Sequence, residues 1–274
     1  MIISASRRTD IPAFLGAWFA ERLRAGSVQV ANPFNPRQVS TLSLRRRDVY
    51  AFVFWTKDPA PFFERLAMLD ERQDRYYFLF TLNAYGRDLE PGLPALDARI
   101  GSFLRLSDRL GPQRVCWRYD PIVLSNRTDP DFHRRAFERL CAALEGHTRR
   151  VIISLLTYYR KVDRRLRGLE QQGVHFERDV AQSGKATALL ADLAAMANAR
   201  GVQMQSCASE WDFSAAGIPA GACIDADLIR AIWGIELDGT KDPGQRPHCL
   251  CARSRDIGTN GTCGHGCVYC YANR

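Results

Sequence analysis

Six short runs of apolar and aromatic residues are spaced along the first 210 residues of the chain, without strict alternation of apolar and polar positions. Runs of this kind are typical of strands buried on both faces of a sheet. Helical periodicity lies between them, at residues 13–24, 130–144 and 185–198. The runs are MIISAS, VYAFVFW, YYFLFTL, RVCWRYDPIVL, RVIISLL and VQMQSC. Six strand–helix repeats predict an α/β protein with a parallel sheet and right-handed crossovers.

Two segments depart from this alternation. VQVANPFNPRQVSTLSL interrupts the first repeat, and its two Asn-Pro steps mark turns, so we expect a hairpin or excursion there. From residue 211 the chain becomes rich in glycine and turns, with one short helix predicted near ADLIRAIWG. A loop-rich tail with little apolar content needs another source of order, and a metal can supply it.

Composition narrows the class of protein only moderately. The hydrophobic fraction of 46% and the charged fraction of 25% are ordinary for a globular protein. No run approaches the ~18 apolar residues that a membrane helix needs, and the start lacks the pattern of a signal peptide, so we expect a cytoplasmic protein without a membrane partner. The net charge of +8 comes almost entirely from scattered arginines. Arginines on solvent-exposed faces of the protein are the favoured explanation of this charge, although a nucleic-acid partner stays open.

Polar residues follow the predicted strands. Because the carboxyl ends of parallel strands meet at one edge, these side chains are expected to ring one mouth of the fold. Helix caps and local ion pairs are the alternative, and Asp10 before Ile-Pro looks like a cap. A charged group after five of six strands favours a binding site, and the arginines suit an anionic substrate. The residues are Ser6, Arg7, Arg8, Thr9, Asp10, Thr56, Lys57, Asp58, Thr81, Asn83, Arg118, Tyr119, Asp120, Ser154, Thr157, Cys207 and Glu210.

Seven of the nine cysteines lie from Cys207 onward. Disulfides are not expected in a reducing compartment. Cys263, Cys267 and Cys270 have the spacing C-x3-C-x2-C, which can place three thiolates at one metal centre. Zinc, with His265 as a further ligand, is one interpretation, but the spacing differs from the usual C-x2-C pairs. The other is a [4Fe-4S] cluster with three cysteine ligands and one open iron.

Four more cysteines, the number for a closed site, occur in the same part of the chain. They predict a second metal centre. An auxiliary [4Fe-4S] cluster is the favoured occupant, and structural zinc is the rival. Unrelated thiols are a weaker explanation, because HCLC lies in polar, proline-flanked sequence that offers no core. The residues are Cys207, Cys223, Cys249 and Cys251.

CGHGCVYC resembles the signature of the radical S-adenosylmethionine (SAM) superfamily, including the aromatic residue before the last cysteine. In that superfamily the motif normally follows the first strand. The resemblance implies that Cys263, Cys267 and Cys270 hold the cluster, that its open iron binds SAM, and that Tyr269 lies by the adenine. It also implies a partial (β/α)6 TIM-like barrel, here over residues 1–210, with residues 211–274 delivering the motif across the barrel mouth.

The order of several segments also resembles an uncharacterised bacterial family with the same C-terminal cysteine cluster. These segments are SASRRTDIPAF, FWTKDPAP, WRYDPI, QRPHCLC, SRDIG and TCGHGCVYCYAN. This second resemblance covers essentially the whole chain. It implies no known substrate.

The implied activity is reductive cleavage of SAM to methionine and a 5′-deoxyadenosyl radical, which abstracts hydrogen from an unknown, anionic substrate. The cluster would need an electron donor such as flavodoxin or ferredoxin. Lys57 or Arg118 is expected to pair with the SAM carboxylate, and Ser154 or Asp120 to reach the ribose, with Thr56 beside them. The candidates for substrate contact and catalysis are Arg7, Arg8, Asp10, Arg118, Asp120 and Glu210.

Two other classes of function compete with this enzyme. A zinc-stabilised nucleic-acid-binding protein would use the basic charge, and seven cysteines with His248 or His265 could supply two closed zinc sites. An electron-transfer protein is the third hypothesis. The polar strand ends argue against it, because an electron carrier needs no such ring of side chains.

Overall fold

The computed structural model describes residues 1–33, 35–180 and 184–273. Its strands are β1 (Ile2–Ser4), β2 (Ser27–Ala31), β3 (Val39–Ser43), β4 (Ala51–Thr56), β5 (Tyr76–Thr81), β6 (Val115–Ile122), β7 (Arg150–Leu155), β8 (Gln203–Cys207), β9 (Ala220–Gly221) and β10 (Ser254–Asp256). Eight of them form one parallel sheet in the order β10-β1-β4-β5-β6-β7-β8-β9, which is curled into a half-barrel. All six strands predicted from the apolar runs are present, as neighbours in chain order.

The predicted partial (β/α)6 TIM-like barrel is wrong. The sheet has eight strands, is open, and takes its two edge strands, β9 and β10, from the glycine-rich tail. Strand β10 lies beside β1, where Ile2 pairs with Ser254. These two edge strands are only two and three residues long, and β10 is polar, so neither contains an apolar run from which it could have been predicted.

The helices are α1 (Ile11–Phe14), α2 (Gly16–Ala25), α3 (Leu66–Glu71), α4 (Leu96–Leu110), α5 (Pro130–Ala143), α6 (Arg160–Glu170), α7 (Lys185–Ala199) and α8 (Ala226–Trp233). Predicted helices at 130–144, 185–198 and near ADLIRAIWG agree with α5, α7 and α8. The prediction at 13–24 corresponds to α1 and α2, which meet at Leu15. The predicted hairpin is confirmed as β2 and β3, which pair antiparallel; its position 34 lies outside the described residues.

The two faces of the sheet are buried by different parts of the chain. Phe52, Phe54 and Phe78 point to the face that packs against the helices. Their strand neighbours, such as Val53 and Leu79, point to the other face, which packs against tail residues and α8. Burial on both sides explains the continuous apolar runs in the sequence. Among the described residues, no helix is both long enough and apolar enough to span a membrane.

Gly258 follows β10 at a point where the tail lies against the β1 end. A Cβ atom added there would lie 1.9 Å from Ser6 Oγ, and Asp256 holds that hydroxyl through a 2.8 Å hydrogen bond. We expect Gly258→Ala to lower the free energy of unfolding by about 1–3 kcal/mol, because the neighbour cannot move freely. The matched control is Gly101→Ala in α4, where a Cβ meets nothing within 4 Å. Urea unfolding should show the control unchanged or stabilised by up to about 1 kcal/mol; equal destabilisation by both would contradict this packing.

His133 in α5 is buried between the Tyr119 hydroxyl, 2.7 Å from Nδ1, and the Val123 carbonyl, 3.0 Å from Nε2. Burial lowers its pKa to about 4 from the ordinary 6.5. The unfolded chain therefore takes up the proton first, so stability is complete above about pH 6.5 and falls as the pH drops toward 4, by about 3 kcal/mol. Urea unfolding of His133→Gln should show a flatter pH dependence across this window. The exposed control His175→Gln should keep the wild-type slope.

Candidate functional site at the carboxyl edge of the sheet

The C-x3-C-x2-C loop lies against the carboxyl ends of β1, β4 and β5. His265 Nε2 donates to Asp10 Oδ2 at 2.8 Å, and both side chains are almost fully buried. Asp10 also accepts from the backbone N–H of Ala13 and of Lys57, at 3.0 and 2.7 Å. It is thus both the α1 cap that its sequence suggested and an anchor for the tail. On the other side, Val268 N donates to Leu89 O at 3.0 Å.

The glycines of the motif permit this close docking. A Cβ on Gly264 would lie 2.8 Å from the Phe14 ring, so a side chain there would push the loop off α1. Gly266 has a φ of +67°, a backbone conformation that other residues rarely adopt. The Gly-His-Gly sequence between the first two cysteines therefore fits a loop pressed against β1 and α1.

A buried charge network holds the aromatic residue of the motif. Lys57 Nζ donates to Glu90 Oε1 at 2.7 Å and to the Tyr269 hydroxyl at 2.8 Å. The Tyr269 hydroxyl in turn donates to Glu90, and Asn83 Nδ2 lies 3.4 Å from it. Arg99 approaches the second Glu90 oxygen at 3.5 Å. One carboxylate is therefore shared by two buried cations.

The three motif thiols lie on one short loop, with Cys267 buried and Cys263 and Cys270 partly exposed. Burial raises the pKa of the Cys267 thiol to about 12, against the opposing effect of Lys57, and the charges of Cys263 and Cys270 act on it as well. Burial also raises the pKa of Cys263. In residues 1–33, 35–180 and 184–273, no group of three or more His, Cys, Asp or Glu side chains converges on a point that would hold a metal ion.

The loop nevertheless fits a cluster by donor type and placement. Soft thiolates are the ligands of iron–sulfur clusters, which take each thiolate on a different iron and so do not need convergence on one point. His265 Nδ1 is buried without a hydrogen-bond partner among the described residues. Cys263, Cys267 and Cys270 could therefore hold an iron–sulfur cluster.

Asp256 organises the neighbouring strand end. Its carboxylate accepts from Ser4 Oγ, Ser6 Oγ, Arg8 Nε and two backbone N–H groups, at 2.8–3.0 Å. The Arg8 guanidinium also donates to the Asp256 carbonyl at 3.1 Å. The contacts of Arg8 with Asp256 therefore hold β10 beside β1.

The Arg7 guanidinium, unlike that of Arg8, lies beside Trp55 and Asp242. It lies 5.3 Å from the centre of the Trp55 ring and 3.9 Å from Asp242, and its Nη2 has no partner among the described residues. Burial lowers the pKa of Arg7, but the charges of Cys251 and Asp256 outweigh it, so the net shift is upward. The Tyr271 hydroxyl donates to the Arg7 carbonyl at 2.8 Å, which ties the residue after the last motif cysteine to this strand end.

Arg118, Asp120 and Ser154 form a third group at the ends of β6 and β7. Arg118 Nη2 and Ser154 Oγ each donate to the Asp120 carboxylate. Arg118 Nη1 lies 3.5 Å from Cys223 Sγ, while its buried Nε has no partner within the described part of the chain. Arg118 therefore joins the polar strand ends to the second set of cysteines.

The second set of cysteines, Cys207, Cys223, Cys249 and Cys251, comes together on the sheet face that packs against the tail and α8. Cys207 Sγ lies 3.0 Å from Cys223 Sγ, and Cys223 and Cys249 are both close enough to Cys251 to lower the pKa of its thiol. The other two cysteines, Cys116 and Cys141, are also buried. Burial raises the pKa of each to about 11.

Two predicted residues have local or peripheral places. Thr56 Oγ1 accepts from the backbone N–H of Asp58 at 3.1 Å, which is a turn contact. Glu210 is exposed and makes no hydrogen bond or ion pair with the residues that the structure describes.

Four residues that contribute to the site were not predicted from the sequence: Glu90, Arg99, Arg165 and Asp256. Arg165 in α6 donates to the carbonyls of Val268 and Cys270. Only the SRDIG segment gave a signal for Asp256. Glu90, in a turn-rich segment, had none.

The comparison with protein families gives one match. The model described as Domain of unknown function (DUF1848) matches residues 2–272. The chain belongs to this family. The resemblance to an uncharacterised family is therefore confirmed, and the family description carries no activity or ligand. No curated protein matches the chain.

Glu90 is the residue on which the charge network depends. We expect Glu90→Gln to lower the free energy of unfolding by about 3–5 kcal/mol, because it leaves Lys57 and Arg99 as buried cations without a carboxylate. The control is Asp97→Asn, which removes an exposed ion pair with Arg139 and should cost about 0–1 kcal/mol. Urea unfolding at pH 7 measures both. Similar small effects would show that the network contributes little.

Proposed function

We propose that this protein is a radical SAM-type iron–sulfur enzyme that acts on an anionic substrate. One observation carries the proposal: a C-x3-C-x2-C loop is docked at the carboxyl edge of a parallel sheet, beside charged side chains from several strand ends. In parallel α/β folds this edge is where ligands bind. A loop serving only as a structural metal site would have no need of that position.

Cys263, Cys267 and Cys270 would hold a [4Fe-4S] cluster and leave one iron for SAM. When bound, such a cluster supplies the electron for reductive cleavage of SAM. Lys57 already donates to Glu90 and Tyr269. Arg118, whose Nε has no partner among the residues that the structure describes, is therefore the better partner for the SAM carboxylate. The other contacts inferred from the sequence stay as proposed: Ser154 or Asp120 at the ribose, Tyr269 at the adenine and Thr56 beside them.

The chain's own residues have three tasks in this proposal. Asp10 and the Lys57–Glu90 pair fix the loop, and their burial keeps water from the reacting groups. Arg7, with a buried N–H that lacks a partner among the described residues, offers the contact for a phosphate or carboxylate of the substrate. Arg8, Asp10, Asp120 and Glu210 are kept as candidates for catalysis, with the first two also fixing the loop and strand ends.

An electron donor such as flavodoxin or ferredoxin needs access to the cluster. An open cavity of about 410 Å³ adjoins His265 and is lined by Phe14, Asp58, Arg87 and Pro91, among others. This cavity offers a route from solvent to the outer side of the motif loop. Flavodoxin or ferredoxin is therefore proposed to approach from this side.

The proposal predicts an iron–sulfur signal that depends on the motif and on SAM. Anaerobically purified wild-type protein should carry about four irons per chain that Cys267→Ala lacks. Its reduced electron paramagnetic resonance spectrum should change when SAM is added, and SAM with dithionite should yield 5′-deoxyadenosine. Cys141→Ala, a buried cysteine outside both sets, is the matched control and should behave like wild type.

Three results would argue against the enzyme. Iron that persists in Cys267→Ala would place the cluster elsewhere. A cluster spectrum indifferent to SAM would favour an electron carrier. A colourless zinc protein that binds DNA in a salt-dependent way would favour the nucleic-acid-binding alternative.

A further inference from the structure

The second set of cysteines lies away from the motif loop, and its sulfur atoms are in contact. Cys207 ends β8, Cys223 follows β9, and Cys249 and Cys251 precede β10. The chain of contacts runs from Cys207 through Cys223 and Cys251 to Cys249. All four residues are at least nine-tenths buried. Three separate chain segments therefore bring four thiols together inside the protein.

The apolar surroundings alone do not explain this gathering. The thiols share their cluster with Val53, Leu79, Ile152 and Ile229, which form a continuous apolar surface. A free thiol behaves as a small apolar group and gains little from other thiols. Four soft ligands in contact suit a metal site much better than they suit a core position.

From this arrangement we infer that Cys207, Cys223, Cys249 and Cys251 bind a single tetrahedral zinc ion. Zinc bound at about 2.3 Å by four thiolates holds its sulfur atoms about 3.8 Å apart. The four thiols do not converge on one point as they stand in the described residues, so binding requires the sulfur atoms to shift. For Cys207 and Cys223, which are 3.0 Å apart, a small outward movement reaches the zinc spacing. A [4Fe-4S] cluster takes each thiolate on a different iron, so it would need the sulfur atoms to separate much further.

The charges around the set match a zinc tetrathiolate. Such a site carries a net charge of −2, and two guanidiniums face it. Arg118 Nη1 lies 3.5 Å from Cys223 Sγ. Arg7, whose Nη2 lacks a partner within the described part of the chain, lies close enough to Cys251 and Cys223 to interact with their charges. The backbone N–H of Ile224 lies 3.4 Å from Cys251 Sγ and can donate to a bound thiolate.

The zinc ion would hold the tail against the sheet. Cys207 belongs to a strand of the sheet. Cys223, Cys249 and Cys251 belong to the tail, which covers the sheet face to which Val53 and Leu79 point. One zinc would therefore fix both ends of the segment that contains α8. This role is structural, and it holds whether or not the motif loop binds an iron–sulfur cluster.

The test is the metal content of the full chain purified under reducing, anaerobic conditions. We expect one zinc per chain in wild type and in the triple variant Cys263→Ala/Cys267→Ala/Cys270→Ala. Cys249→Ala should lose the zinc, while Cys141→Ala should retain it. Failure of the proposed enzyme would appear only in iron and SAM measurements, so the two ideas fail separately.

Cobalt binding gives a second readout that does not depend on variants that fold poorly. Metal-free wild-type protein titrated with Co²⁺ should bind one equivalent, with the intense visible absorption of a tetrahedral thiolate site. Iron in place of zinc in the triple variant would overturn the inference. So would a Cys207–Cys223 disulfide found by mass spectrometry after alkylation, or wild-type protein with neither zinc nor Co²⁺ binding.

Discussion

A half-barrel sheet has a second face that its own helices do not cover, and this constraint shapes the rest of the molecule. Strands β4 and β5 are apolar on both faces, so the face away from the helices must be buried by something else. The tail meets that need with α8, with two edge strands and with the segments that carry the cysteines. The part of the chain that carries seven of the nine cysteines and the part that completes the core are therefore the same part.

Buried carboxylates hold the tail in register with the sheet. Asp10, Glu90 and Asp256 each accept several hydrogen bonds, and each joins residues distant in the chain. A carboxylate removed from water is tolerated only when it is paired and hydrogen-bonded, so each of the three depends on partners from both parts of the chain. Several side chains that look catalytic in the sequence are thus anchors whose positions determine where any ligand could lie.

The sequence predicts the local elements well and the closure of the sheet poorly. Apolar runs revealed six strands because each is buried on both faces. Strand β10 could not be found in this way, because Ser254–Asp256 is polar and gains its place only by pairing with β1. The cysteines were found from spacing alone, whereas Glu90 acquires its importance from Lys57, Arg99 and Tyr269, which the sequence does not show to be neighbours.

The pairing of β10 with β1 also bears on how the protein is made. A ribosome releases β1 first, and β10, which flanks it, emerges with the motif loop only after the other seven strands of the described sheet have been synthesised. The contacts between them span about 250 residues, as in the pairing of Ser4 with Asp256. Distant pairings of this kind form late in folding. A chain still on the ribosome would therefore hold most of its strands before the four cysteines of the second set could come together.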